Sequence, residues 1–228
     1  MNKRGSVRTY LYKLTSDRGG APCAPPQRQG ELPLLTLSIC KPAIRRTAQA
    51  GDRILGITSR ALAASDGYPL GAVIYAARVT AAVDPHEYYA EHSMYRQRPD
   101  CIYAFHQANG RLQHSGRTRL HSDPRYEPRD IGSYPFYRNA RALVSTDFRY
   151  FGAKAPVIPA RLYRLRQIAE ELGQGHRVFL EDADEAGELD ALFRLLWKRP
   201  TLHTPAWVEE ENSGHTPRAS GRAARVIC

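Results

Sequence analysis

The chain has 228 residues, and 33 lysine and arginine residues against 23 aspartate and glutamate residues give it a formal net charge of +10. Its hydrophobic fraction of 42% and charged fraction of 25% are those of an ordinary soluble globular protein. The length predicts one domain at residues 1–206, followed by a basic tail at 207–228 that we expect to be disordered. The charge favours a polyanionic partner, DNA or a nucleotide.

Several classes of protein are disfavoured by pattern. The apolar stretch around residues 70–79 is interrupted and too short to span a bilayer. The polar residues 1–8 are not followed by an apolar segment, so we expect no secretory signal. The four cysteines form no C-x-x-C pair, which argues against a zinc ribbon or a thioredoxin-type motif. We therefore expect a cytoplasmic protein with reduced thiols and no membrane partner.

The charge is unevenly distributed along the chain. Residues 96–129 contain seven arginines and three acids, whereas residues 181–190 contain six acids and no base. Such separation is what a local anion-binding surface requires. Arginine suits phosphates and base edges because its guanidinium is a planar fork of donors.

Taken in chain order, the first strand is predicted over Val7 to Leu14. A loop follows from Thr15 to Cys23, in which Gly19 and Gly20 free the backbone for a close approach to a ligand. The glycines lack the G-x-G-x-x-G and Walker spacings, so neither a dinucleotide fold nor a P-loop is predicted. Asp17 in this loop is a candidate general base or base-edge acceptor.

The next segment, residues 34–58, is the most informative. A strand to Ile39 leads into Cys40 and Lys41, and Pro42 begins a short helix that we expect over residues 43–50. Gly51 is predicted to end this helix, Asp52 to turn the chain, and residues 53–58 to form a strand. Helix N-termini attract anions, so we interpret Lys41, Arg45 and Arg46 as phosphate ligands. The alternative is a solvated surface helix with ordinary arginines.

Sequence pattern also predicts the remaining elements. They are a loop from Arg60 to Pro69, a long buried strand from Leu70 to Val83, a short helix from Pro85 to about Glu91, a hairpin of Ile102 to Gln107 with Arg111 to His114, an irregular segment from Arg117 to Tyr137, a strand from Ala142 to Phe148, helices at Pro159 to Leu172 and Glu185 to Trp197, and a strand from His176 to Leu180.

Two further segments combine aromatic and polar residues in the way that base-binding sites do. Arg96, Arg98, Asp100 and Tyr103 fall within nine residues, just before a predicted strand. Residues 148–151 form an aromatic cluster in which Phe148 and Tyr150 would point the same way. Core packing of these rings, with a basic surface loop beside them, is the alternative in both places.

For catalysis, Cys40 beside Lys41 at a helix entrance would have a lowered pKa and be nucleophilic. The alternative is a small buried residue at the end of a strand. Asp17 and Asp52 are candidate general bases. The eight histidines make neither H-x-x-x-H nor H-E-x-x-H, so we predict no metal site and no cofactor.

With these residues described, the chain resembles the family called nucleotide modification associated domain 2, over roughly residues 7–197. The resemblance implies a role connected with modified bases in DNA or nucleotides, in DNA modification or phage defence, without implying a known reaction. It also makes other DNA-modification proteins candidate partners. The segments that carry it are YKLTSDRGGAPC (12–23), ICKPAIRR (39–46), GDRILG (51–56), YRQRPDCIY (95–103) and STDFRYFG (145–152).

A looser similarity links residues 43–83 to the PUA, EVE and YTH barrels, in which a short helix, a Gly-Asp turn and a strand precede a longer strand. It implies a small, mixed, mostly antiparallel β-barrel with peripheral helices, hence the α+β class. Such barrels hold a modified base in an aromatic pocket. This chain has no tryptophan before Trp197, so tyrosines or Phe148 would have to take the place of a tryptophan cage.

The sequence therefore predicts a protein that recognises or processes a modified base or nucleotide. An enzyme acting on a free nucleotide or base through Cys40 or an aspartate, and a non-catalytic interaction subunit with a basic face, remain as alternatives. The oligomeric state is left open. The candidate phosphate ligands are Lys41, Arg45, Arg46, Arg96 and Arg98, and the candidate base-binding residues are Asp17, Asp100, Tyr103, Phe148 and Tyr150.

Overall fold

The structure, a computed structural model, describes residues 6–27 and 30–205, and within them the chain is a mixed α+β fold. The predicted tail at 207–228 lies outside the described residues. The strands are β1 (Thr9–Leu14), β2 (Leu35–Leu37), β3 (Arg53–Thr58), β4 (Val73–Arg78), β5 (Ala81–Val83), β6 (Tyr103–Phe105), β7 (Leu112–His114), β8 (Ala142–Ser145), β9 (Asp147–Tyr150) and β10 (His176–Phe179). The α-helices are α1 (Pro42–Thr47), α2 (Arg60–Asp66), α3 (Pro85–Tyr88), α4 (Glu127–Asp130), α5 (Tyr163–Glu171) and α6 (Ala186–Trp197), with a 3-10 turn at Gly152–Lys154.

The largest sheet has five strands in the order β10-β1-β3-β4-β9. Strands β1 and β3 run parallel, and the other neighbours are antiparallel. Gly56 lies at the middle of β3, beside Tyr12 and Tyr75 in the register. A Cβ atom there would lie 2.3 Å from Cε1 of Tyr75, so the missing side chain of Gly56 makes room for that ring.

A second sheet has the order β2-β8-β5, and β6 and β7 form a separate hairpin. The mixed, mostly antiparallel pairing agrees with the α+β prediction. The described residues form no closed barrel, because the five-stranded sheet ends at the unpaired edges of β10 and β9. The predicted PUA-like barrel is therefore not confirmed.

Two strands that the sequence predicted as continuous are each divided between the two sheets. Residues 70–83 form β4 in the large sheet and β5 in the smaller one. The switch occurs where the Val79 amide donates to the Asp52 carbonyl and the Thr80 amide donates to the Val144 carbonyl. The strand predicted at residues 142–148 divides in the same way, into β8 and the first half of β9, with Thr146 between them.

The loop predicted at residues 60–69 is wrong, since helix α2 begins there. Ser59 caps the helix by accepting a hydrogen bond from the Leu62 amide at 3.1 Å, and Gly67 follows it in the left-handed conformation. The preceding helix α1 also ends earlier than predicted, at Thr47. Gly51, predicted to end it, instead belongs to a separate turn closed by the Asp52 amide on the Gln49 carbonyl.

The buried apolar side chains form two clusters. The larger one joins the five-stranded sheet to the apolar faces of α5 and α6. The smaller one gathers the tyrosines of α3 with β6, β8 and the segment before α4. Ile39 belongs to the smaller cluster and Ile44 to the larger, and the chain between these two residues contains the turn at Cys40 and Lys41. Among the described residues, no helix is long and apolar enough to cross a membrane.

Candidate functional site

Two cavities adjoin where the two apolar clusters meet. The smaller has a volume of about 410 Å³ and the larger about 1010 Å³. Both are lined by Thr15, Cys40 and Lys41, so the Cys40–Lys41 turn is the wall that they share. We call the two cavities together the cleft.

The turn at the centre of the cleft has an unusual backbone. Cys40 and Lys41 have φ angles of 56° and 43°, and His121, which lines the smaller cavity opposite them, has a φ of 51°. Side chains other than glycine rarely occupy this left-handed region, and such residues concentrate at functional sites. Within the described residues, three of the four non-glycine residues with positive φ therefore line the cleft.

Arg45 holds this turn in place from inside the protein. Its side chain is fully buried, with Nε donating to the Cys40 carbonyl at 2.6 Å and Nη2 to the Asp130 carbonyl at 2.6 Å. Nη1 donates to the carbonyls of Asn139 and Arg141. Because all of these acceptors are backbone carbonyls, the guanidinium ties three separate stretches of backbone together, at residues 40, 130 and 139–141.

Asp130 and His121 form a hydrogen-bonded relay that leads to the sulfur of Cys40. The buried carboxylate of Asp130 accepts from His121 Nδ1 at 2.6 Å, the Tyr103 hydroxyl at 3.0 Å and the Cys40 amide at 2.8 Å. The other ring nitrogen, His121 Nε2, lies 3.9 Å from Cys40 Sγ. A carboxylate that orients an imidazole beside a sulfur is the arrangement that activates cysteine nucleophiles.

The same three side chains could also act as metal ligands, since one donor atom from each lies within 4.8 Å of the others. However, both carboxylate oxygens of Asp130 already accept hydrogen bonds, and His121 Nδ1 is used by one of them. A metal ion bound by all three would have to share the Asp130 carboxylate with the donors that already occupy it. The donor set therefore fits a relay better than a metal centre.

The redox state of the cysteines differs from the sequence expectation. Cys23 and Cys101 are free thiols, as expected, whereas Cys40 is in a disulfide bond. Burial raises the pKa of the Cys101 thiol to about 11 and that of Cys23 well above its usual value. Thiol chemistry at Cys40 therefore belongs to the reduced chain, in which the two buried thiols would be unreactive by comparison.

Lys41 is the cation at the centre of the cleft. Burial lowers the pKa of its ammonium to about 8. Its Nζ lies 4.9 Å from the centre of the Tyr12 ring and 3.5 Å from the Lys13 carbonyl. A partly desolvated ammonium is held at a cost that a bound anion would relieve.

Sequence reasoning missed several residues of the cleft that come from the irregular segment 117–137. Its only signal was a long loop of the kind that is often functional. His121 and Tyr126 stack with ring centres 3.9 Å apart. Arg119 lines the smaller cavity together with Arg18 from the glycine loop. The cleft residues from this segment are Arg119, Leu120, His121, Ser122, Asp123, Tyr126 and, in the larger cavity, Arg129.

Of the predicted phosphate ligands, the structure places Lys41 in the cleft and the four arginines elsewhere. Arg45 is fully buried, and Arg46 is exposed and donates to the Asn139 side chain at 2.6 Å. Arg96 donates to the carbonyls of residues 101 and 103. Arg98 donates to the carbonyls of residues 23 and 34. Arg45, Arg96 and Arg98 thus support the backbone in this structure.

The predicted base-binding aromatic residues lie in the interior. Tyr103, Phe148 and Tyr150 are at most 4% exposed, so none of the three rings offers a free face to a base. The Tyr103 hydroxyl donates to the Asp130 carboxylate of the relay. The Tyr150 hydroxyl donates to Asp17 at 2.6 Å.

The three predicted aspartates are also buried. Asp17 accepts from Tyr68 and Tyr150 on one oxygen, and burial raises its pKa. Asp100 accepts from Thr36, Ser38 and Tyr88. Asp52 accepts from the backbone and the guanidinium of Arg8 and closes the turn before β3. None of the three lines the cleft.

Comparison with known proteins identifies the family. The family model described as nucleotide modification associated domain 2 matches residues 6–212, so the chain belongs to that family. The family indicates a role in the context of nucleotide or DNA modification. No curated protein and no solved structure matches the chain.

Proposed function

We propose that the cleft binds a nucleotide, or a modified base in DNA, and that this binding is the step by which the protein recognises or processes its substrate. The observation that carries the proposal is the position of Lys41. It lies on the wall shared by the two cavities, partly desolvated, in a member of a nucleotide-modification family.

The chemistry of the lining supports this assignment. Lys41, Arg18 and Arg119 bring three positive charges to the smaller cavity against two acids, Asp66 and Asp123, and this excess of positive charge suits a phosphate. Tyr126 and His121 supply flat rings beside the charge, as a base requires. The volume of about 410 Å³ falls in the range of small-molecule sites.

The proposal is tested by titrating the reduced, full-length protein with deoxynucleoside monophosphates in a calorimeter. The ligands carry either ordinary bases or modified pyrimidines and deazapurines. A charged hydrogen bond contributes about 1.5 to 3 kcal/mol, so Lys41→Ala should weaken binding by roughly 10- to 100-fold. Preference for one modified base would identify the modification.

Lys154→Ala is the matched control, because Lys154 is an exposed lysine that does not line the cleft. Its affinity should equal that of the unaltered chain. If Lys41→Ala binds as well as Lys154→Ala, or if no nucleotide binds at all, the cleft is not a nucleotide site.

A second candidate function is favoured by the relay. We propose that in the reduced chain Cys40 acts as a nucleophile, with His121 accepting its proton and Asp130 orienting the imidazole. The supporting distances are 3.9 Å from His121 Nε2 to Cys40 Sγ and 2.6 Å from His121 Nδ1 to the Asp130 carboxylate. The thiolate so formed would add to an electrophilic ring carbon of the bound base. The π bond of that carbon would break, and the proton held by His121 would pass to the atom at its other end.

This second function is tested by measuring how fast iodoacetamide alkylates Cys40 at pH 7, by peptide mass analysis of the reduced chain. The variant His121→Gln should slow alkylation by at least about tenfold, because thiolate is the reactive form. Cys23 and Cys101 serve as slow internal references. Equal rates in the two proteins would remove His121 from the role of base, without affecting the nucleotide-binding proposal.

A further inference from the structure

A second charged surface lies at the other end of β3 from the cleft. A groove of about 610 Å³ runs between the start of β3, the end of β4 and helix α6. Its lining contains five cations and one acid, Asp190. The cations, which define what we call the basic groove, are Arg53, Arg78, Arg161, Arg194 and Lys198.

Two of these cations are fixed in position. Arg53 pairs with Asp190 and lies over the Phe193 ring at 5.1 Å. Arg78 pairs with Asp147 at 2.9 Å and lies over the Trp197 ring at 4.9 Å. They are neighbours across the sheet, since Arg53 faces Arg78 in the register of β3 and β4. The sheet and the aromatic residues of α6 therefore form a rigid base for the groove.

The other three cations are exposed and have no ion-pair or hydrogen-bond partner for their side chains anywhere in the ranges 6–27 and 30–205. Arg194 and Lys198 are four residues apart, on one side of α6, and Arg161 joins them from the segment before α5. Three like charges held close together repel one another and are costly to keep. A polyanion with closely spaced charges would neutralise all three.

We infer that the basic groove binds the phosphodiester backbone of a nucleic-acid strand. A strand presents phosphates at regular, close spacing, which matches several cations along one groove better than a single phosphate does. Trp197 is not placed to stack on bases. Arg78 and Arg149 lie over its ring at 4.9 and 5.4 Å, and its Nε1 donates to Asp147 at 2.7 Å.

The expected recognition is therefore by charge, with little preference for sequence, because contacts to phosphate carry no base information. This inference extends the proposed function from a single nucleotide to the strand that contains it. It stands on different residues, so the two can fail separately.

The inference is tested by fluorescence anisotropy of labelled twelve-nucleotide strands over 50 to 300 mM salt. The triple variant Arg161→Gln, Arg194→Gln, Lys198→Gln should bind at least tenfold more weakly at 50 mM salt. The slope of log affinity against log salt should fall by about 2 to 3, close to one for each cation removed. Single-stranded DNA, the matching duplex and RNA of the same sequence form the arms that identify the kind of strand.

The matched control is Arg111→Gln, Arg138→Gln, Lys154→Gln. It also removes two arginines and one lysine, but from exposed positions outside the groove. It should keep most of the affinity and slope of the unaltered chain. Equal effects of the two triple variants would mean that net charge alone attracts the strand, and would overturn the inference. So would an unaltered chain whose binding to every strand is absent or independent of salt.

A second measurement localises the strand. The chain has two tryptophans, Trp197 and Trp207, so in a Trp207→Phe background the emission comes from Trp197 alone. Strand binding in the groove should change that emission, whereas a mononucleotide bound in the cleft should not. The groove variant should retain mononucleotide binding, and the groove substitutions should lower the salt slope by the same 2 to 3 in a Lys41→Ala background, so failure of one proposal is distinguishable from failure of the other.

Discussion

At the scale of single residues, Lys41 illustrates how a buried charge in a cleft lowers the stability of the fold. The pKa of its ammonium is about 8 in the folded chain, below its usual value of 10.5, because burial disfavours the charge. Between those two pH values the unfolded chain binds more protons, so stability rises with pH across this interval. Below pH 8 the buried charge costs stability in full.

We predict that Lys41→Met raises the free energy of unfolding at pH 7 by on the order of 1 to 2 kcal/mol. The gain should shrink as pH rises from 8 toward 10.5, where the lysine of the unaltered chain is neutral. Denaturant unfolding at several pH values measures it. A variant that is less stable than the unaltered chain at pH 7 would show that the ammonium is held by favourable contacts instead.

Residue identity indicated which positions carry charge, but it did not indicate where each charge points. Lys41 and Arg45 both follow from the same helix-start pattern, yet one lines the cleft and the other is fully buried among carbonyls. That difference depends on backbone from residues 130–141, which packs against the turn from far along the chain. The residues around Lys41 and Arg45 in the sequence therefore do not indicate which of the two side chains is buried.

At the scale of elements, the centre of β3 depends on Gly56. An added Cβ would lie 2.3 Å from Cε1 of Tyr75 and 2.5 Å from Cδ1 of Leu14, and the register of β3 with β4 shifts between Gly56 and Ile57. Overpacking a strand centre typically costs about 1 to 3 kcal/mol, and two close contacts place this site at the upper end.

We predict that Gly56→Ala lowers the free energy of unfolding by about 3 kcal/mol, as measured by urea denaturation. Gly187→Ala is the control, because Gly187 lies within α6 and a Cβ there would meet nothing within 4 Å. Alanine in a helix is favoured over glycine by about 1 kcal/mol, so this variant should be more stable. Similar losses in both variants would contradict the packing argument.

Element boundaries were predictable to within two residues where turns or periodic faces mark them, as for β1, β3 and α6, whereas α5 begins four residues later than predicted. Boundaries were not predictable where neither a turn nor a periodic face marks the end of an element. Residues 70–83 are apolar except for Arg78 and Thr80, and their pattern cannot tell a single buried strand from two strands that enter different sheets. The divide at Val79 and Thr80 is made by hydrogen bonds to Asp52 and Val144, which are distant in sequence.

At the scale of the whole molecule, the cleft and the basic groove lie at opposite ends of β3. Arg53 begins the strand beside the groove, and Ser59, just after it, lines the larger cavity. At about 3.3 Å per residue, these ends are roughly 20 Å apart. Sequence reasoning identified Lys41, which lines the cleft, but it did not anticipate that distant segments, such as residues 40 and 121, meet there.

Ligand binding should be visible in the stability of the whole chain. A nucleotide at 100 times its Kd should add about 2.7 kcal/mol to the free energy of unfolding. For a domain of this size, the Tm should rise by roughly 5 to 10 °C in a thermal melt. Lys41→Met should lose most of this rise while melting higher than the unaltered chain without ligand. An equal rise in both proteins would place the nucleotide outside the cleft.

The division of two apolar segments between the sheets has a consequence for how the molecule opens. The chain passes directly from β4 to β5 and from β8 to β9, and each pair has one strand in each sheet. If one sheet opened, the chain would pull on the strands that continue into the other sheet. The two sheets should therefore unfold as one cooperative unit. Native-state hydrogen exchange should accordingly give the amides of β5 and β8 the same opening free energy as those of β4 and β9.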